Sequence, residues 1–449
     1  MTSAGGAIGV DLGTSGCRAI ALSATGQTLG EARVALPAPL RDGLGVSEQD
    51  PALWWAAVVT VLCELAPKVA GSAPLRVCVD ATSATLLLTS TNGEPLGTAL
   101  MYDDTQARTE AAKLAALVPA DSPARGAGSS LSKLHYLARR RPGQGPRLAL
   151  HQADWVLGRL TGRFGLSDWN NALKLGFDPG AVCWPGWLSA LDLQGVKLPE
   201  VLAPGALAGP LTHGALVETG LPRGTLAVAG TTDSTAAVLA TGPLSPGDAV
   251  TCLGSTLVLK IVAERPVTAP EFGVYSHRVG DLWLVGGASN SGGAVLRRFF
   301  DDAQLRELSA GMDPDRPTGL DYYPLPGPGE RFPVNDPGLE PRLDPRPADD
   351  QAFLQGMFEG VAGIEARGYR LLTGLGAPRL RRVLTTGGGA ANPVWIQIRQ
   401  RMLGVSVAAA TQQEAAYGAA RLAQWGAEAA LRGPGARAGI GAFCAIRGS

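Results

Sequence analysis

Residues 8–16 read Ile-Gly-Val-Asp-Leu-Gly-Thr-Ser-Gly, and this stretch decides the fold. Ile8, Val10 and Leu12 form an apolar strand that carries one carboxylate, Asp11, and runs into a turn of glycine and hydroxyl residues. A carboxylate in such a strand is costly to bury unless it is paired, hydrogen-bonded or near a cation. Mg²⁺ would satisfy Asp11, directly or through water, because it prefers oxygen ligands and keeps part of its hydration. Outward from this point, three apolar runs between Ala7 and Leu36, split by Gly13–Gly16 and residues 23–27, predict an antiparallel meander. Residues 248–264 repeat the device as strand, Gly254-Ser255-Thr256 turn and strand, and Gly387-Gly388-Gly389 supplies a third glycine turn after an apolar run. Glycine lets backbone N–H groups approach phosphate oxygens, and Thr14, Ser15, Ser255 and Thr256 add hydroxyl donors. Three such turns suit a triphosphate. Neither the P-loop pattern nor a dinucleotide fingerprint is present.

Between these turns, Asp50-Pro51 caps an expected helix ending near Pro67, and Leu75–Asp80 and Thr85–Ser90 read as further strands of the same sheet. Asn92-Gly93 reads as a hairpin turn. Residues 105–165 are expected to be mostly helical and 166–225 loop-rich. A strand over Leu226–Gly230 runs to Thr231-Thr232-Asp233, where a helix begins and where Asp233 suits an N-cap as well as a catalytic role. The proline-dense stretch 324–347 reads as a surface excursion, and Asp349 or Asp350 as the cap of a long core helix through about Leu372. Residues 381–404 give strand, glycine turn and helix, in which Asn392 reads as a cap and Trp395 as a core indole or a ligand contact. A small-residue helix follows over about 413–431, then a loose tail.

At 449 residues, with 45% apolar and 17% charged side chains, the chain has ample material for two large lobes and does not resemble a disordered segment. Lys plus Arg equals Asp plus Glu at 39 each, which removes the net field that nucleic acid or an anionic membrane would recognise. Arg139–Arg141 reads as a solvated helix end. The six cysteines lack paired spacing and the four histidines lack zinc-site spacing, which fits a reducing compartment and argues against a metal held by nitrogen and sulfur. No apolar run reaches membrane-spanning length, and residues 1–16 lack the pattern of a secretory or transit segment. A cytoplasmic enzyme with small-molecule partners, monomeric or homodimeric, is the expectation.

IGVDLGTSG from Ile8, AGTTDSTAA from Ala229, LGST from Leu253 and TTGGGAANPVW from Thr385 occur in the order and at the separations of the FGGY carbohydrate kinases, which the chain resembles over residues 7 to 430. SDWNNALKLGF, GLDYYPLPGPGERFP and GGASNSGGA resemble the short xylulokinase-related branch that includes the D-ribulose kinases of cyanobacteria and plants. The resemblance implies an α/β fold of two actin-like (ribonuclease H-like) lobes, each a mixed sheet flanked by helices, closing on sugar and Mg-ATP. It implies a sugar-binding lobe over 1–240, a nucleotide-binding lobe over 241–413, a helix over 414–431 returning to the first lobe and a tail over 432–449. A hinge is expected near 234–248. Asp233 matches the catalytic base and also touches the sugar; Asp11 matches the acid that positions Mg²⁺ beside the substrate. Thr14 and Ser15, then Gly254, Ser255 and Thr256, match the phosphate turns. Gly388 and Gly389 match the nucleotide glycines, Asn392 and Trp395 the adenine contacts, and Ser83 a sugar-contacting serine. Asp11 and Asp233 are expected to meet from opposite walls of the cleft. Typical xylulokinases carry Gln-Met-His-Gly near Asp80–Ala84, where this chain has no histidine, which points away from D-xylulose and leaves Ser83 to read a hydroxyl, while the resemblance to the branch implies D-ribulose. Trp169, Asn170, Asn171 and Lys174 read equally as pocket border or surface loop. A catalytically silent sugar-binding regulator and an actin-like ATPase acting on a protein are the competing readings.

Overall fold

The computed structural model describes residues 5–72, 74–141, 145–242 and 244–432. Its first half is built on β1 (Ala7–Leu12), β2 (Gly16–Leu22) and β3 (Thr28–Ala35), the expected antiparallel meander. On the other side of β1, β4 (Arg76–Ala81) pairs parallel, and β6 (Leu226–Thr232) pairs parallel with β4. With β5 (Leu207–Pro210) at the edge, the strand order is β5-β6-β4-β1-β2-β3. Helix α1 (Pro51–Leu65) starts where Asp50 accepts a hydrogen bond from the Ala52 N–H, and buries Trp54, Val58, Val61 and Leu62 in the core of this lobe.

The second half repeats the plan. β7 (Asp248–Leu253), β8 (Leu257–Ala263), β9 (Tyr275–Val279), β10 (Leu282–Ser289), β11 (Arg382–Thr386) and β12 (Ser406–Ala409) are ordered β9-β10-β8-β7-β11-β12. β7 has antiparallel neighbours on one side and parallel β11 and β12 on the other, as β1 has β2 and β3 against β4 and β6. The short sequence repeat is thus the visible part of a duplicated topology. Between the halves, α2 (Asp233–Ala240) follows β6 directly. Later, α3 (Asp350–Gly374), capped by Asp349, buries Phe353, Leu354, Met357, Phe358, Val361 and Ile364, and α4 (Pro393–Leu403) follows the glycine triplet. The C-terminal core gathers around α3.

Three expectations change. Leu86–Ser90 leaves the first sheet for a separate six-stranded one, in which it lies between Arg147–His151 and Ala99–Leu100. Arg147–His151 is itself a strand inside the region read as helical; its apolar part, Leu148-Ala149-Leu150, is too short for a periodicity that separates the two states. The proline-dense stretch is not only a surface excursion: Phe332 is fully buried, its ring lying over Gly287 and Gly368, where any Cβ would come within 2.7 Å of the ring. The tail expected over 432–449 lies outside the described residues beyond Arg432.

The last helix, α5 (Ala415–Arg432), packs against β1, β4 and α2, and its Ala419, Leu422 and Ala423 join residues of both sheets in one apolar cluster. Only glycine permits this approach. A Cβ on Gly9 of β1 would lie 2.0 Å from the Ala416 carbonyl oxygen and 2.2 Å from the Ala420 nitrogen, and one on Gly418 would lie 1.8 Å from the Ala236 carbonyl oxygen. Backbone cannot yield as a side chain can. Gly9→Val should therefore cost roughly 3 kcal/mol or more, the upper end of single-residue effects. Denaturant melts check this, and a loss below about 1 kcal/mol would mean that α5 docks loosely.

Candidate active site

The parallel register places Asp11 of β1 directly beside Asp80 of β4, and Thr231 of β6 beside Asp80 on its other side. Register partners on adjacent strands point to the same face, so two carboxyls stand side by side, and Asp233 follows two residues after Thr231 at the start of α2. Asp11 and Asp233 therefore rise from one sheet of one lobe. The expectation that they approach from opposite walls is corrected: the chain reaches Asp233 through a strand two places from β1.

The electrostatics record the crowding. Burial, with the charge of Asp233, pushes the Asp11 carboxyl up to about 6, against the opposing pull of Arg18. Burial and the charges of Asp11 and Asp233 hold Asp80 well above the usual carboxylate range. Asp233 is also raised by burial, while the Ser234 N–H and Lys174 pull it back. A protonated Asp80 beside an ionised Asp11 is the arrangement this favours, with the shared proton lowering the repulsion. No group of three protein ligands forms a metal cage among the described residues. The site instead fits an ion such as Mg²⁺ that keeps waters and takes one or two carboxylates plus substrate oxygens.

Asp233 is not the helix cap: Thr232 occupies the N-cap position, its hydroxyl 3.0 Å from that of Thr235, and one Asp233 oxygen accepts the Ser234 N–H at 2.6 Å. In the first turn, the Gly13 N–H meets the Gly16 carbonyl at 3.0 Å, leaving Thr14 half-buried and Ser15 exposed. The second turn has the same exposure, Ser255 outward and Thr256 half-buried, and the Gly293 and Ala294 N–H groups bond the Gly254 and Ser255 carbonyls. The third turn packs on the second. At Gly387, with φ of +82°, a Cβ would lie 2.8 Å from the Leu253 carbonyl oxygen, and at Gly389 one would lie 2.4 Å from the Leu253 side chain, whereas Gly388 faces open space.

Ser83 is half-buried on the turn after β4, beside Ala84 at a φ of +68°. That turn is pinned by the buried Lys133 ammonium, which donates to the carbonyls of Ala84, Met101 and Tyr102 at 2.9, 2.6 and 3.2 Å. Thr82 is fixed by its hydroxyl bond to Gln152 at 2.7 Å. Trp395 is a correction. Its ring stacks on Phe358 with centroids 4.4 Å apart, its N–H donates to the Phe358 carbonyl, and it is 3% exposed, so no face is left for an adenine. Asn392 serves as the cap of α4, accepting the Trp395 N–H at 3.0 Å and donating to Ser309 at 2.8 Å. The four residues read as pocket border or surface loop lie instead in a short helix, Trp169–Ala172, and the turn Leu173–Leu175 after it, where Asn170 joins the lobes, bonding Thr231 and both backbone groups of Arg278. Asn171 bonds Asp168, Trp169 lies under the Arg278 guanidinium, and Lys174 lines a cavity.

Sequence reasoning missed Asp80 and Arg18. The signal for the first was present, since Val77-Cys78-Val79-Asp80 repeats the pattern of Ile8-Gly9-Val10-Asp11. Arg18 opposes Asp11 across the β1–β2 hairpin and reaches Glu414 at 2.9 Å. Also unforeseen is the fully buried Arg399–Glu365 pair, at 2.6 and 2.7 Å, which with Thr251, Thr385 and Tyr369 ties α3 and α4 to β7 and β11 beneath the glycine turns.

The model of the FGGY family of carbohydrate kinases matches this chain in two parts, its N-terminal domain over residues 7–240 and its C-terminal domain over 249–427. The chain belongs to that family, and is an ATP-dependent carbohydrate kinase, a phosphotransferase acting on an alcohol group. It is 26% identical to the xylulose kinase of Escherichia coli K12 over 445 residues, covering 93% of this chain and 89% of that one. It is 28% identical to the xylulose kinase of Streptomyces coelicolor over 422 residues, covering 88% and 82%. Among solved structures, a xyloylose kinase from Brucella ovis superposes with a TM-score of 0.83 at 25% identity, covering 94% of this chain and 90% of that one. The two-lobe actin-like architecture is common to these kinases.

The unfolded chain ionises Asp80 near the ordinary value of about 3.9, whereas the fold keeps it protonated far above that, so its contribution to stability falls as pH rises. Asp80→Asn removes the penalty. The gain in Tm over the parent protein, measured without nucleotide or magnesium, should be larger near about pH 8 than near about pH 5. An equal change at both would show that Asp80 is ionised in the fold.

Proposed function

We propose that the chain transfers the γ-phosphate of Mg-ATP to the terminal hydroxyl of a ketopentose, D-ribulose in the first instance, giving D-ribulose 5-phosphate. The observation that carries this reading is the grouping of Asp11 and Asp80 at one register position on adjacent strands, with Asp233 at the start of the helix after the next strand and within reach of their charges. Asp233 accepts the proton of the attacking hydroxyl. Its ordinary carboxylate would be a weak base, and burial raises it towards usefulness while Lys174 keeps it ionisable. Asp11, with Asp80 sharing its proton load, is the group that would hold Mg²⁺, which supplies charge neutralisation on the phosphates when bound. Thr14, Ser15, Gly254, Ser255, Thr256, Gly388 and Gly389 offer N–H and hydroxyl donors to the nucleotide's phosphates. Ser83, held by the Lys133-pinned turn, reads a sugar hydroxyl. We assign Trp395 no contact with the nucleotide, and Asn392 the cap of α4.

D-Xylulose is the second reading, because xylulose kinases are among the relatives. Against it stands Asp80-Ala81-Thr82-Ser83, a stretch without histidine. A coupled ADP-release assay with Mg-ATP over ketopentoses, pentitols and glycerol separates the two, with the highest kcat/KM expected for D-ribulose. Release independent of every sugar would overturn the reading. Asp233→Ala should lower kcat by about 10²- to 10⁴-fold, the range of a general base, and leave nucleotide affinity unchanged. Turnover at the parent rate would remove Asp233 from the mechanism.

A further inference from the structure

A cavity of about 440 Å³ lies where the lobes meet, lined from the first half by Asp121, Arg125 and Lys174 and from the second by Tyr275, Arg331 and Asn335. Three cations and one carboxylate face it. Lys174 is a half-buried residue whose ammonium has no hydrogen bond or ion pair with a described residue and lies 5.6 Å from the centre of the Tyr275 ring. Arg331 donates to the Asn290 amide oxygen at 2.7 Å and Arg125 to the Val118 carbonyl at 3.4 Å, so neither is neutralised by a carboxylate. Behind Tyr275, the buried Lys260 ammonium lies 4.9 Å from the same ring and 3.2 Å from His277 Nδ1. The charges of Lys174, Lys260 and Arg331 all pull the Tyr275 phenol below its ordinary range. The charge of Lys174 also pulls the Asp233 carboxyl down, so the cavity's ammonium lies within electrostatic reach of that carboxyl.

Three cations against one carboxylate around a single cavity leave a net positive potential there, and the Lys174 ammonium has no acceptor of its own among the described residues. A neutral polyol provides oxygens but no charge. We propose that this cavity is an anion subsite beside the acceptor site, in which Lys174 and Arg331, one from each lobe, hold a carboxylate or phosphate monoester group. The anion has two possible sources: the charged end of an acidic sugar whose hydroxyl lies at Asp233, or a separate phosphorylated metabolite. Held from both sides, either one favours the closed cleft.

The test uses the full chain with its nucleotide site filled by a non-hydrolysable Mg-ATP analogue, so that phosphate cannot report on the nucleotide turns. Inorganic phosphate, ribulose 5-phosphate and gluconate are titrated calorimetrically into the parent protein and into Lys174→Met, Lys174→Arg and Arg331→Gln. At least one probe should bind at millimolar concentration or below. Lys174→Met should weaken it roughly ten- to hundredfold, the range of one charged hydrogen bond, and Lys174→Arg should restore it. Equal affinity in all four proteins, or no binding to the parent protein, overturns the proposal. Gluconate-dependent ADP release that falls in Lys174→Met by a larger factor than neutral-sugar release identifies a charged acceptor; phosphate-ester binding that leaves the KM of the parent protein for a neutral sugar unchanged identifies a separate ligand. Anion binding of the expected pattern without ADP release from any sugar would sustain the subsite and defeat the ketopentose reading alone.

Discussion

Three carboxyls stand together on neighbouring strand ends, and their mutual repulsion is a constraint the rest of the fold has to meet. Asp11 and Asp80 share a register position and Asp233 follows the next strand, so the fold holds like charges together in a place largely cut off from water. Such a group is stable only with a proton or a cation among its members. Burial and the neighbouring charges favour the proton at Asp80.

The glycines answer a different constraint, that of distance. Gly9 and Gly418 let α5 lie against β1 and α2 at backbone contact, and Gly387 and Gly389 let the third turn close on Leu253. Through α5 the apolar cluster of one lobe continues into the other. Asn170, bonded to the backbone of Arg278, makes a polar connection at the same junction.

Beneath the glycine turns, Arg399 and Glu365 form a bidentate pair at zero exposure. Its value lies in fixing geometry more than in net stability, since a buried pair repays most of its Coulomb energy as desolvation. Thr251 and Thr385, on the two parallel strands that lead to the turns, are both held by it. Glu330 does similar service for the proline-dense stretch, accepting from Ser289, Asn290 and Tyr323.

The residues alone determined the local devices: the β1–β2–β3 meander, the capped helices at Asp50 and Asp349, the repeated Ser/Thr turns, the strand ending at Asp233, and through their joint resemblance the kinase family. Each rests on a pattern a few residues long, where propensity and turn chemistry act without help from distant chain. What only the tertiary structure decided is the company each residue keeps. That Asp80 joins Asp11, that Leu86–Ser90 pairs outside the first sheet, that Phe332 enters the core, that Trp395 stacks on Phe358 and that Lys174 meets Arg331 across the junction all depend on strand order and packing between segments tens to hundreds of residues apart. Alternation and periodicity fix which face of an element is buried. They do not say against what it is buried, and at the carboxyls, the indole and the cationic cavity that difference decides between a structural residue and a chemical one.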